Sequence, residues 1–530
     1  MMSDPALMMT TVAVIPVIGR AARQATTWPL ITAAEVPIPA AVGAAAAAGL
    51  AVALSLPPFG WWPLAIVGVA ALAALLPGRT AGRRAVLGAA FGLGQFAIGL
   101  WWVTEFNVGG YVALVLLAMV ATALAGAVVP ARRPIGVLVG LPAALALGEW
   151  VRGQFPFGGL PLGGIPLGQA ASPLVAAARL GGPVLLTWIT AAAGAGLTAL
   201  VAALAAPAPR PRERRRQDAV AAAVVLSLVT ALVIAGRLSP DGTGSGPRRT
   251  LMVAAVQGGG PRGTSAGDVD TGVVMQRQVD ATTALHPPID LVVWPEDVVT
   301  VDQPIAQAPE GATVGHLAQR LGSTVVAGVV ENVGTDRFRN AAVAWSPAGV
   351  IVARYDKVHR VPFGEYIPGR GFFQHLANLE RVPRDAIAGR GPGLLDTPVA
   401  PLGTVISYEV FFEGRARSAI RAGGEVLLVP TNASSYSTSQ VPTQEMAAAQ
   451  LRAWETGRDV VQAAPTGYSA LIDHDGRVRA RSTLGQQQVI TGTVTLRRGQ
   501  TVFLRLGDLP VVVLAILALI ASLGRRRGPG

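Results

Sequence analysis

The sequence predicts a chain in two parts: a membrane α-helical bundle of about eight spans, and a polar α/β layered domain held on the outer side of the membrane. Three observations carry this. Hydrophobic residues make up 51% of the 530 positions and charged residues only 14%, too apolar a balance for an ordinary soluble protein. The apolar residues are segregated: long Ala/Leu/Val runs fill positions up to 236, whereas 250–505 mixes polar and apolar residues normally. Arginines cluster in short connections between the apolar runs, as membrane orientation requires.

Residues 1–37 receive no assignment, because the apolar stretch Ala6–Gly19 is short for a span and contains Pro16. A spanning helix needs about 20 mainly apolar residues. The bundle at 38–236 accommodates seven such stretches, at 38–57, 61–77, 85–104, 111–129, 135–151, 183–206 and 218–236, and an eighth lies at 509–523. The connections holding Arg79, Arg83 and Arg84, then Arg132 and Arg133, then Arg210, Arg212, Arg214, Arg215 and Arg216 alternate with connections poor in basic charge. Arg525, Arg526 and Arg527 in the tail 524–530 close the series. The positive-inside rule puts all four sites in the cytoplasm and the large domain on the opposite side of a plasma (inner) membrane.

A linker at 237–249, rich in Gly, Pro, Ser and Asp from Ser239 to Arg249, cannot continue a helix. The domain at 250–505 then alternates short apolar strands with helical stretches. Strands are expected at Leu251–Gln257, Leu291–Trp294, Thr324–Val330, Ala341–Ser346, Val350–Tyr355, Thr404–Tyr408 and Val426–Pro430.

Composition also excludes chemistries. The net charge of +12 lies in inter-helix loops, with no basic stripe interleaved with aromatics, so nucleic acid is not an expected partner. With no cysteine, disulfides, zinc thiolates and iron–sulfur clusters are ruled out. The five histidines, His286, His316, His359, His375 and His474, lack metal-ligand spacing, and neither metal nor cofactor is expected.

Three motifs in the domain follow or end a strand. Trp294-Pro295-Glu296 places a carboxylate at a strand end, where a partly dry cleft raises its pKa and lets it act as a base. Taken alone, such a glutamate is more often a solvated loop acid than a base. In the second motif, Lys357 is the only lysine among 43 basic residues, and it precedes Glu365 by eight positions. Pro362 and Gly364 break regular structure there, so both charges can project from a loop into one site. An ammonium is a compact charge that can take part in proton transfer, unlike guanidinium. The third motif, Val405-Ile406-Ser407-Tyr408-Glu409, delivers a hydroxyl at a strand end, a position where serine is more often structural than catalytic.

Together these residues resemble the nitrilase superfamily, with its Glu, Lys and Cys in that chain order, and within it the apolipoprotein N-acyltransferases. Val256-Gln257-Gly258, Pro362-Phe363-Gly364-Glu365-Tyr366-Ile367-Pro368, Phe59-Gly60-Trp61-Trp62-Pro63 and Glu149-Trp150-Val151-Arg152-Gly153 extend the likeness over nearly the whole chain. The resemblance implies a four-layer αββα sandwich for 250–505. It also implies Glu296 as general base, Lys357 as oxyanion stabiliser and Ser407 as nucleophile, with Glu365, Tyr408 and Glu409 in support. The implied reaction moves an acyl chain from a membrane phospholipid, through the nucleophile, to the α-amine of a diacylglyceryl-cysteine lipoprotein.

Two departures stand out. Residue 407 is serine where the family has cysteine, which fits a working oxygen-ester enzyme, an inactive lipid-binding fold or an introduced trapping change. Thr431-Asn432-Ala433-Ser434-Ser435-Tyr436 lacks the Asp-Ala-Trp-Phe-like pattern of many bacterial members. The competing readings are a small-amide amidase, which seven preceding spans disfavour, and a membrane scaffold partnering a polyprenol-phosphate mannose synthase. Exposed apolar residues at Tyr366, Ile367 and Phe372 are expected to meet lipid or to pack inside the domain, and Glu149 with Arg152 to hold a headgroup or form a structural ion pair.

Overall fold

The computed structural model describes residues 36–131, 136–204, 212–244, 249–260, 270–373, 382–434, 436 and 439–523. Ala6–Gly19, Arg132, Arg133, Arg210, His375, Ser435, Arg525, Arg526 and Arg527 lie outside the described residues, as do part of the linker and the side chains of Arg212, Arg214 and Phe372.

Helices form at all eight expected positions: α1 (Ile38–Ala53), α2 (Pro63–Leu75), α3 (Ala81–Gly99), α4 (Val108–Val128), α5 (Leu141–Arg152), α6 (Ala178–Leu204), α7 (Arg212–Leu238) and, after the domain, α12 (Leu509–Leu523). Among the described residues, Val108–Val128, Pro173–Leu204 and Arg215–Leu238 are long and apolar enough to cross a membrane, while α1, α2 and α12 are apolar but shorter. The fifth helix is shorter than expected because Gly136–Gly140 forms a wide π turn ahead of it. Gly181, Gly182 and Pro183 kink α6 near its start.

Small residues let these helices approach closely. A Cβ on Gly94 would lie 2.0 Å from the Ala46 carbonyl oxygen, and one on Gly49 would lie 1.8 Å from that of Phe91, so α1 and α3 touch backbone to backbone. At the arginine-rich end, the Arg84 guanidinium donates to the carbonyls of Gly126 at 3.2 Å and Ala127 at 3.0 Å. It thereby serves carbonyls in the last turn of α4, where the helix itself runs out of donors.

The domain sits at the other end. Its strands are β1 (Arg249–Gln257), β2 (Leu291–Val293), β3 (Val299–Val301), β4 (Thr324–Val333), β5 (Arg337–Trp345), β6 (Ile351–Asp356), β7 (Asp385–Ala386), β8 (Leu394–Asp396), β9 (Pro401–Thr404), β10 (Val426–Pro430), β11 (Val460–Ala463), β12 (Ala470–Ile472), β13 (Val478–Arg481) and β14 (Gln488–Leu496). One sheet runs β14-β1-β2-β4-β5-β6, with β3 on β4 and β7 on β5; the other runs β13-β12-β11-β10-β9-β8. The period of two along β1 shows the layering: Val253 and Ala255 pack between the sheets against Leu402, Leu428 and Val461, whereas Ala254 and Val256 face an outer helix layer. The outer layers are α8 (Thr271–Thr283) with α9 (Pro309–Leu321) on the first sheet, and α10 (Glu413–Arg421) with α11 (Gln440–Thr456) on the second. The order is αββα.

The second sheet's helices rest on the bundle. Gln440 donates to the Ile98 carbonyl at 2.7 Å and Gln444 to that of Gly99 at 3.1 Å, capping the end of α3. Arg179 reaches Asp475 at 2.6 Å and lies 4.3 Å over the Trp454 ring.

Expected strands agree with observed ones except at Thr404–Tyr408. Strand β9 stops at Thr404, and Ser407–Phe411 is a 3-10 turn. The Glu409 side chain takes the Ile406 N–H at 2.9 Å and Ser407 turns to φ +47°, so the chain leaves the sheet.

Candidate active site

Glu296 follows β2 through Trp294 and Pro295, both tied to β4: the Trp294 N–H reaches the Val326 carbonyl at 2.8 Å, and Gly328 donates to the Pro295 carbonyl at 3.0 Å. Position 328 must be glycine for this crossing, because a Cβ there would lie 2.5 Å from the Glu296 Cα. Lys357 extends from the end of β6, its N–H bonded to the Asn340 carbonyl at 2.8 Å. Glu365 sits in the tight turn after it, with Oε2 accepting the Val361 N–H at 2.7 Å.

These elements converge. The Lys357 Nζ lies 2.7 Å from Glu296 Oε1 and 2.8 Å from Glu365 Oε1, and all three residues are largely buried. Asn340 on β5 donates to the same two oxygens, at 2.8 and 3.0 Å. Burial opposes the ammonium's charge, but the two carboxylates outweigh it and hold the Lys357 pKa well above its usual range. Burial also raises the Glu296 pKa, against the pull of Lys357 and with the repulsion of Glu365. Asp297, next along the chain, is raised further by burial and by Glu296.

Ser407 arrives from the other sheet. Its left-handed backbone is rare for a residue with a Cβ and turns the side chain out of the strand direction. Glu409 fixes that turn: Oε1 accepts the N–H groups of Val358 and His359 at 2.9 Å each and the Tyr355 hydroxyl at 2.8 Å, while Oε2 takes Ile406. One carboxylate thus bolts the serine loop to the lysine loop. Tyr408 is buried and donates to the Gly159 carbonyl at 3.1 Å, anchoring the same loop to the bundle.

Sequence reasoning missed Glu445 and Thr431. Glu445, on α11, is 3% exposed and accepts from the Thr431 hydroxyl at 2.8 Å. Burial lifts its pKa to about 7, with Glu296 adding repulsion and Lys357 attraction. The Glu409 hydrogen bonds to Ile406, Val358 and His359 bring the turn that carries Ser407 against the loop that carries Lys357. The available clue was polar: α11 buries Gln444, Glu445, Arg452 and Glu455, an unusual load for one helix. Asn340, in the apolar run of β5, offered a similar clue.

Of the other expectations, Ile367 is buried and Tyr366 lies beneath Arg360 at 4.0 Å, so neither is an open lipid contact. Phe363 is 44% exposed and meets the Phe157 ring edge to face at 5.7 Å. Glu149 and Arg152 form an ion pair at 2.5 Å, and Arg152 also donates to the carbonyls of Leu160 and Leu162, a structural arrangement. Among the described residues no group of three or more His, Asp or Glu side chains is placed to hold a metal ion.

Residues 48–196 match the family described as apolipoprotein N-acyltransferase N-terminal domain, and 252–502 match carbon-nitrogen hydrolase. The apolipoprotein N-acyltransferase of Mycolicibacterium smegmatis is 32% identical over 507 residues, covering 91% of this chain and 83% of that protein. That of Azotobacter vinelandii is 32% identical over 515 residues, covering 91% and 95%. Among solved structures, Nit3 of Saccharomyces cerevisiae, of the nitrilase superfamily, aligns at 19% identity and TM-score 0.37, covering 53% of this chain and 97% of Nit3.

Proposed function

Because the chain belongs to the apolipoprotein N-acyltransferase family, we propose that it transfers an acyl chain from a membrane phospholipid to the N-terminal α-amine of diacylglyceryl-cysteine lipoproteins, through an acyl-enzyme on Ser407. The observation that carries this reading is the Lys357 ammonium held between Glu296 and Glu365, on a loop that Glu409 ties to the turn of Ser407. Two of its three N–H groups are committed to carboxylates, which leaves one for the oxygen that gains charge when a carbonyl is attacked.

In the first step the Ser407 Oγ attacks the donor's ester carbonyl, its proton passes to a buried carboxylate, and the lysophospholipid leaves. The resemblance assigns the proton to Glu296. In the second step the lipoprotein amine attacks the serine ester, giving an amide and restoring the hydroxyl. Dividing the transfer in this way replaces one hard step by two easier ones.

Eight crossings, with the arginine-rich ends in the cytoplasm and the domain outside, suit both lipid substrates. Arg79 and Arg84 lie at the helix ends away from the domain, in support of that orientation. Phe155, Phe157 and Phe363, each more than 40% exposed, supply an aromatic rim for an acyl chain.

Intact-mass spectrometry of the purified protein with phospholipid, with and without a diacylated lipopeptide, tests the proposal. The expected result is one acyl adduct on Ser407 that the lipopeptide discharges. Folded protein giving neither adduct nor triacylated product would shift the reading to a lipid-binding scaffold, for which a polyprenol-phosphate mannose synthase is the candidate partner.

A further inference from the structure

Glu296 and Glu365 share the Lys357 ammonium, but Asp297, beside Glu296, forms no ion pair among the described residues. Its Oδ1 is buried and has no hydrogen-bond partner among them, an arrangement that costs free energy until a donor or a cation completes it. The backbone fixes where that oxygen points. Asp297 adopts φ +59°, and Gly328 of β4 packs so closely on the turn that a Cβ there would lie 3.0 Å from the Asp297 nitrogen. Asn432 donates to the other oxygen, Oδ2, at 3.5 Å, the long end of the hydrogen-bond range. The Asn432 amide is held in this orientation because its Oδ1 accepts the Ser434 N–H at 3.0 Å and the Ser434 hydroxyl at 2.6 Å. The contact spans the two sheets: Glu296 and Asp297 follow β2, whereas Ser407 and Asn432 follow β9 and β10, parallel neighbours in which Thr404 pairs with Leu428. Asp297 and Asn432 therefore meet at the edge of the sandwich where Glu296 and Ser407 emerge.

We propose that Asp297, steadied by Asn432, is a subsite for a primary ammonium carried by one of the two substrates. The inference rests on the acyl-transfer reading, because that reaction brings such a group to this edge: the α-amine of the acceptor, or the headgroup of a phosphatidylethanolamine donor. Charge selects a cation, since Glu296, Asp297 and Glu365 together set three carboxylates against the one ammonium of Lys357. Among the described residues no group of three or more His, Asp or Glu is placed to hold a metal ion, so the cation is an organic one. Burial, then the charges of Glu296 and Glu365, hold the Asp297 pKa well above the ordinary carboxylate range. An ammonium supplies the missing counter-charge and displaces the carboxyl proton. Asp297 keeps partial exposure where Glu296 has almost none, and its long bond to Asn432 yields more readily than the short contacts of Lys357. Its role is binding, and it takes no part in bond making.

The test measures two ratios on the full-length protein in detergent micelles, for the wild type, Asp297→Asn and Asn432→Ala. The first is the affinity for a diacylated lipopeptide with a free α-amine over that for its N-acetylated counterpart, read by fluorescence anisotropy without a donor. The second is the rate of Ser407 adduct formation from phosphatidylethanolamine over that from phosphatidylglycerol, read by intact mass. Each ratio is internal to one preparation, so partial unfolding cancels, and a merely structural role for Asp297 would lower both members alike. The expected result for Asp297→Asn is a fall of roughly tenfold or more in one ratio, as for a lost hydrogen bond between charged groups, with a smaller fall in the same ratio for Asn432→Ala. A fall in the first ratio assigns the ammonium to the acceptor, and a fall in the second assigns it to the donor headgroup. Both ratios unchanged in Asp297→Asn would overturn the subsite, even if overall turnover dropped. Absence of any Ser407 adduct in the wild type would instead overturn the acyl-enzyme reading, and the first ratio, which needs no turnover, would then judge the subsite alone.

Discussion

The Glu409 carboxylate accepts the backbone N–H of Val358 at 2.9 Å, joining the loop that holds the serine to the residue following the lysine. The two loops come from different sheets of the sandwich, and their relative position sets the distance between hydroxyl and ammonium. Since Glu409 also takes the N–H groups of His359 and Ile406, it works as a clamp between the two loops.

Replacing Glu409 by Gln puts an NH2 donor where N–H groups now point. A buried donor left without its acceptor costs about 1–3 kcal/mol, more when the acceptor is charged. A lowered melting temperature is expected, with a fall in kcat larger than the change in KM. A variant with unchanged kcat and melting temperature would remove the clamp role.

Lys357→Arg should abolish turnover and leave the fold intact, because a planar guanidinium cannot take the place of an ammonium held at 2.7 and 2.8 Å by two carboxylates. Loss of an oxyanion donor typically costs about 100- to 1,000-fold in kcat. Steady-state acylation of a lipopeptide measures this, and wild-type turnover would take Lys357 out of the mechanism.

Glu445 also predicts a pH dependence of stability. Its folded pKa, about 7, lies above the ordinary value of 4.5, so the folded state binds the extra proton. The contribution is present in full below about pH 4.5 and is lost as pH rises through about 7. At about 1.4 kcal/mol per pKa unit this amounts to at most roughly 3 kcal/mol. Melting temperatures of the wild type and Glu445→Gln at pH 5 and 8.5 should show the variant losing less on going to the higher pH. Parallel losses would contradict the raised pKa.

In the bundle, Gly94→Val should fail structurally, since even a Cβ there would lie 2.0 Å from the Ala46 carbonyl. Overpacking of this kind costs typically about 1–3 kcal/mol. Reduced recovery in detergent and a lower melting temperature are expected, whereas Gly43→Val, at a position with open space, should be tolerated. Equal behaviour of the two variants would deny the close helix contact.

Periodicity and composition alone located helices at the eight expected apolar stretches and six of the seven expected strands, because packing within a helix bundle or between two sheets imposes apolar runs visible in one dimension. Lys357, Glu296 and Ser407 were likewise legible as polar residues where apolar strands end. The sequence could not show what depends on contacts across sheets. Asn340 and Glu445 show in sequence only as polar residues in apolar elements, and their meaning comes from contacts with Glu296 and Thr431 at separations of 44 and 14 residues. The break at Thr404 was hidden for the same reason: the Thr404–Tyr408 run favours a strand, and the Glu409 carboxylate, by taking the backbone N–H groups of two loops, ends it. Sequence therefore determined which segments are buried; tertiary structure decided which buried polar groups meet, because a hydrogen bond between distant segments depends on the final packing and leaves no periodic trace.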